Sequence, residues 1–230
     1  TFSEIIAENV DVPNYQREFA WKVSTAESLI NDMFEHFKSH DQFANVACDQ
    51  FFLGNLITVG NYPIKLVDGQ QRLTSLFAVM HGVEVLDSAF NTKRIQIAFR
   101  PRDGRFEVAN PATRRDPEFI SDISELWTSG KGSFSLVKQF LEALSEQKGV
   151  STADEEIIFH NFDRLFDLTK FPFTSLEISP DVAEEQVAEI FVRINSRGVK
   201  LNQADFILTL LSVFWPDGRE SLEKFSEAST

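Results

Sequence analysis

Cysteine is almost missing from this 230-residue sequence, with Cys48 alone. An internal disulfide is therefore excluded, and Cys48 is read as a structural or incidental thiol. The four histidines, His36, His40, His81 and His160, are scattered. Their spacing offers no nuclease-like pair and, with a single Cys, no metal centre. Long apolar runs are missing too: no stretch approaches the ~18 residues of a membrane span, and the N-terminus lacks the basic and apolar blocks of a signal peptide. A cytoplasmic protein with no membrane partner is expected. Basic residues are scarce, 22 Lys and Arg against 35 Asp and Glu, for a net charge of −13. That balance argues against indiscriminate nucleic-acid binding. A lysine phosphate loop is absent, because Gly130-Lys131 lacks the earlier glycine that such a loop requires. Repeats and low-complexity linkers are absent, which favours a single domain over residues 1–230. The chain starts at Thr1 rather than Met and is expected to be a piece of a longer protein.

What is present is 43% hydrophobic and patterned. "STAESLINDMFEHF" opens with a capping-box pair, Ser24 and Glu27, and continues with Leu29, Ile30, Met33 and Phe37 at helical spacing. "FFLGNLITVG" and "YPIKLVDG" are β-rich runs around the turn residues "GNYP", predicting a hairpin. From Gln70 the apolar spacing Leu73, Leu76, Phe77, Met80 and Val83 predicts a helix. "RIQIAFRPRDGRFEVA" alternates on either side of Asp103-Gly104, a second hairpin. Residues 134–149 and 153–168 read as helices, "FTSLEIS" as a strand, and 182–197 as a helix stopped by Gly198, with Asn202 capping the next. The expectation is an α+β fold: a core over 1–110, a mainly helical segment over 111–170, and a strand with helices over 171–230.

"LVDGQQRLTSLF" is thus a strand-to-helix turn. The first amides of a helix lack intrahelical partners and carry the positive end of its dipole, so a glycine turn feeding a helix suits an anion. Gly69 permits the turn, Gln70 and Gln71 bring amides, and Arg72 brings a fork matched to phosphate oxygens. Asp68 has three possible tasks here: holding a metal ion, orienting Arg72 or positioning water. The plain alternative is that Asp68 caps the helix and Arg72 pairs at the surface.

Two further polar clusters accompany this turn. "VPNYQREFAW" presents Gln16 and Arg17 beside Tyr15, with Pro13 favouring an extended approach. "FVRINSRGVKLNQAD" gathers Arg193, Asn195 and Arg197 at a helix end. Here Glu189, Arg193 and Arg197 also fit an ordinary ion-pair ladder, and Asp205 an ordinary helix-start acid. Residues 93–115 hold seven basic side chains against Asp103 and Glu107, an excess of five inside an acidic chain. Arg100, Arg102 and Arg105 flank the hairpin turn as candidate DNA contacts if that turn projects toward a duplex; a solvated hairpin is the alternative.

In this order, "VPNYQREFAW", "FFLGNLITV", "LVDGQQRLTSL" and "IFVRINSRGVKLNQAD" resemble the N-terminal domain family of GmrSD-type modification-dependent restriction systems. The similarity spans roughly residues 3–215, and its most specific part is DGQQR followed by Leu-Thr. The resemblance implies a ParB/sulfiredoxin-like fold, a small mixed sheet with flanking helices, whose turn binds nucleotide phosphates. It also implies NTP binding or hydrolysis coupled to sensing of modified DNA in phage defence, controlling an HNH-type nuclease domain or partner subunit. Carried onto this chain, Asp68, Gln70, Gln71 and Arg72 would form the catalytic turn. Gly69, Tyr15, Gln16, Arg17, Arg193, Asn195, Gly198 and Asp205 would complete the nucleotide site. The implied ligands are an NTP (ATP, GTP or another) with Mg2+, and DNA with modified bases or backbone; a homo-oligomer is compatible. No nuclease signature occurs here, so the chain alone is not expected to cut DNA. A non-catalytic module gripping a DNA phosphate or a modified base is the second reading, and a purely structural partner-holding domain the third.

Overall fold

The periodic apolar residues of the first helix explain its placement. In the computed structural model α1 (Val23–Asp41) buries Ala26, Leu29, Ile30, Met33 and Phe34 along one stripe. The described residues are 1, 5, 21–41, 56–59, 65–86, 91–183, 186–187, 190, 207, 211, 215, 217–218, 221–222 and 224–225. Chain contacts divide the protein into one unit of Thr1–Ser3, Gln16–Leu53 and Gln71–Pro172, and another of Glu4–Tyr15, Gly54–Gln70 and Phe173–Thr230.

In the first unit α1 starts at Val23, one residue before the expected cap. Ser24 therefore lies inside the first turn, where its carbonyl accepts from Ser28 Oγ at 2.9 Å, and Thr25 N donates to Lys22 O at 2.8 Å. Two short strands that alternation did not reveal, β3 (Glu84–Leu86) and β4 (Thr92–Arg94), pair antiparallel. Three residues each are too few to display a period. The expected hairpin forms from β5 (Ile97–Arg100) and β6 (Arg105–Val108), with Arg100 opposite Arg105. A short helix, α3 (Glu125–Thr128), precedes the two predicted ones, α4 (Ser133–Gln147) and α5 (Thr152–Asp167), which pack together. Ser151 starts α5 with a true capping box: its Oγ accepts from Asp154 N at 3.1 Å while Asp154 Oδ2 accepts from Ser151 N at 3.1 Å.

The core of this unit is aromatic. Phe34 of α1 meets Phe99 and Phe106 of the hairpin edge-on, at centroid distances of 5.4 and 5.3 Å. The hairpin turn is drawn into that core instead of projecting from it. Asn161 Nδ2 of α5 donates to Pro101 O at 2.7 Å, and a Cβ on Gly104 (φ +72°) would stand 2.9 Å from Phe34 Cε1. Any larger residue at Gly104 meets both a ring and an unfavourable backbone region.

The second unit holds a three-stranded sheet in the order β2-β1-β7. In it β1 (Leu56–Val59) runs antiparallel to β2 (Lys65–Asp68) and parallel to β7 (Ser175–Ile178). Ile57, Val59, Val67, Ile178 and Val187 form its apolar cluster. Both the first hairpin and the late strand stand where the sequence predicts them. The protein is accordingly α+β, with three small sheets among the described residues. The Gly198 stop and the Asn202 cap lie outside the described residues.

Candidate functional site

Strand β2 ends at Asp68, and α2 (Gln70–His81) starts two residues later. Ile57 pairs with Asp68 but Thr58 with Leu66, so the register slips by one and β2 carries an extra residue beside Asp68. A bulge of this kind re-aims the side chain next to it, and alternation in sequence gives no sign of it. Gly69 joins strand to helix at φ +94° and is buried. That conformation strains any residue bearing a Cβ, which is the local reason for glycine. Gly69, not Asp68, therefore occupies the position just before the helix.

Gln70 Nε2 turns back to donate to Leu66 O at 3.1 Å, tying the helix start to β2. Gln71 O accepts from Ser75 Oγ at 2.6 Å. Asp68, Gln70, Gln71 and Arg72 are half-buried, and Asp68, Gln71 and Arg72 each make further interactions within the protein. Packing falls to Leu73, Leu76, Ala78, Val79 and Met80, all buried. The first turn of α2 contains no acidic residue, and the carboxylate beside the positive end of the helix dipole is Asp68, two residues before the helix starts. Chemically the segment offers backbone and side-chain donors, one guanidinium and one carboxylate within five residues. A nucleoside triphosphate fits that donor set. Mg2+ is compatible with it as well, because it is commonly held by one carboxylate together with phosphate oxygens, and Asp68 would be that carboxylate. Among the described residues no group of three or more His, Cys, Asp or Glu is arranged to hold a metal alone.

Tyr15, Gln16, Arg17, Arg193, Asn195, Gly198 and Asp205 lie outside the described residues. The hairpin arginines are described, and each has a carboxylate partner. Arg100 forms a two-pronged pair with Asp103, with Nε at 2.9 Å, and lies 5.3 Å from the Phe119 ring centroid. The Asp103 carboxyl is held below its ordinary pKa by the Arg100 hydrogen bond. Arg102 meets Glu118 at 2.8 Å, Asp154 at 3.5 Å and Gly149 O at 3.3 Å. Arg105, the most exposed of the three, meets Glu107 at 2.8 Å. Sequence reasoning passed over Asp122, whose buried carboxylate accepts from both Arg94 and Gln96. Its one sequence signal is an acid inside the otherwise weakly charged "FISDIS" run.

A glycine-turned strand-to-helix junction with phosphate-type donors, on a mixed α+β scaffold, defines the class of domain. Residues 2–212 match the model of the GmrSD restriction endonuclease N-terminal domain, and the chain belongs to that family. It is therefore part of a restriction system. A comparison with curated proteins finds no match.

Proposed function

We propose that the Asp68–Arg72 turn binds the phosphates of a nucleoside triphosphate, and that this domain reports on DNA modification to an HNH-type nuclease domain or subunit. The observation that carries the reading is the Gly69 turn at φ +94°, which joins Asp68 to Gln70, Gln71 and Arg72 in a first α2 turn that holds no acidic residue. Gln70 is held to the Leu66 carbonyl by its side-chain amide, which leaves its backbone amide for a ligand. Arg72 supplies a charge-assisted fork for phosphate oxygens. Asp68 is the oxygen donor for Mg2+, which when bound offsets phosphate charge. For hydrolysis, Gln71 or Asp68 would orient the attacking water. Tyr15, Gln16, Arg17, Arg193, Asn195, Gly198 and Asp205 are assigned to the same site by family resemblance.

Titration of the chain with ATP and GTP, without DNA, tests this directly. Saturable binding is expected, and Arg72→Ala should weaken it about tenfold to a hundredfold, the equivalent of one charge-assisted hydrogen bond of ~1.5–3 kcal/mol. Circular dichroism should show the fold intact, because the buried stripe from Leu73 onward does the packing. A folded variant with the parent's nucleotide affinity would reject the phosphate assignment. DNA binding that Arg72→Ala weakens, without any nucleotide binding, would favour a non-catalytic DNA-gripping turn.

A further inference from the structure

We propose that a surface built on Arg94, Arg114 and Arg115, apart from the hairpin turn, binds the phosphate backbone of duplex DNA. A relay of side chains assembles it. Arg94 Nη2 donates to Asp122 Oδ2 at 2.8 Å and to Ser124 Oγ at 3.2 Å, and Gln96 Nε2 donates to the same Asp122 oxygen at 3.0 Å. Gln96 Oε1 then accepts from Arg114 Nη2 at 2.7 Å. Arg94 is thereby fixed on the buried carboxylate directly, and Arg114 is joined to it through Gln96. Asp122 is itself oriented, since its Oδ1 accepts from Ser124 N at 3.0 Å.

The second half of the surface is equally ordered. Asn110 Oδ1 accepts from Ala112 N at 2.8 Å and from Thr113 N at 3.1 Å, while Thr113 Oγ1 accepts from Asn110 N at 3.0 Å. Thr113 is buried and Arg114 and Arg115 beside it are exposed, so both are presented from a closed turn. Lys93 and Arg94 are exposed on β4. The carboxylates among these groups are Asp122 and Glu84, which stands opposite Arg94 across the β3–β4 pair. Asp116, next after Arg115, is occupied by Lys148 at 3.4 Å. Three cations, Arg94, Arg114 and Arg115, stand against two carboxylates there in a chain of net charge −13; Arg94 is matched to Asp122 as Arg100, Arg102 and Arg105 are each matched to a carboxylate, whereas Arg114 meets only the neutral Gln96 amide. Residues 91–98 and 110–116 contain no aromatic side chain. Single-stranded nucleic acid is usually gripped by aromatic stacking, so the chemistry here fits duplex backbone.

The inference rests on these groups alone and is independent of the nucleotide reading. Its test is titration of the whole chain with a short unmodified duplex over a salt series. The parent should bind, with affinity falling as salt rises. Replacing Arg114 and Arg115 together by Ala should weaken binding and flatten log K against log salt by about 0.9 per lost phosphate contact, or about 1.8 for two. The pair Arg100→Ala and Arg105→Ala should keep the parent's slope. Nucleotide affinity of the Arg114/Arg115 variant, measured separately, should be unchanged. The proposal is overturned by a parent that does not bind duplex, by an unaltered slope in the Arg114/Arg115 variant, by a slope lost in the hairpin variant instead, or by tighter binding to single strands.

Discussion

Arg105 and Glu27 show how much a residue's meaning depends on what it faces. Arg105 reads in sequence as a loose cation beside a turn, yet it is paired with Glu107. Glu27 reads as the acid of a capping box, yet α1 begins at Val23 and Glu27 lies half-buried near Glu107. Burial first, and the Glu107 charge second, raise its pKa, with Arg105 opposing them. For an acid raised in the folded state, ionisation works against folding: its cost is absent below the unfolded pKa and grows as pH rises through the folded value. Glu27→Gln should therefore raise Tm at neutral pH, and the gain should disappear below the ordinary glutamate range. Thermal unfolding of both proteins at the two pH values checks this. A variant less stable than the parent at neutral pH would mean that attraction to Arg105 outweighs desolvation.

At the scale of elements, the β5–β6 hairpin teaches most. Its strands and its Asp103-Gly104 turn were legible, because alternation and turn chemistry are local. The direction of the turn was not. It is set by Asn161, sixty residues on, and by Phe34 of α1. Asn161 also accepts from Arg164 Nη1 at 2.9 Å, so both ends of its amide are used. Asn161→Ala would leave the buried Pro101 carbonyl unpaired, and the expected loss of stability is about 1–3 kcal/mol. Chemical denaturation with an unchanged m-value would measure it. A loss below about 0.5 kcal/mol, the bottom of the usual range for one hydrogen bond, would show that the turn is held by Phe34 packing alone. Helices α4 and α5 and strand β7 stood in the sequence because their apolar spacing or β-rich runs are long enough to read. Strands β3 and β4 did not, since three-residue strands are specified by their partner more than by their own pattern.

For the whole molecule, 35 acidic residues against 22 basic ones set a field that individual ion pairs only locally relieve. Exposed pairs such as Lys138–Glu142 and Lys170–Asp167 contribute little to stability and are themselves weakened by salt. Self-repulsion of the excess acids acts over the whole surface, and a Debye length of ~10 Å at 0.1 M salt screens it. Thermal stability should consequently rise as ionic strength increases from very low to physiological. A falling Tm over that series would show that the ion pairs outweigh the repulsion.

The α+β class and the DGQQR strand-to-helix turn were legible in the residues alone, because helical spacing, β runs and glycine turns act through near neighbours and survive as a readable pattern; the family was legible through the resemblance of its motifs. The folded arrangement alone sets the bulge of β2 beside Asp68, the facing of the hairpin turn on Asn161 and Phe34, and the link from Arg114 through Gln96 to the Arg94–Asp122 pair. Each of these joins groups through space. A charge or amide finds its partner according to where the packed core leaves it, and that position depends on the burial of every helix and strand together.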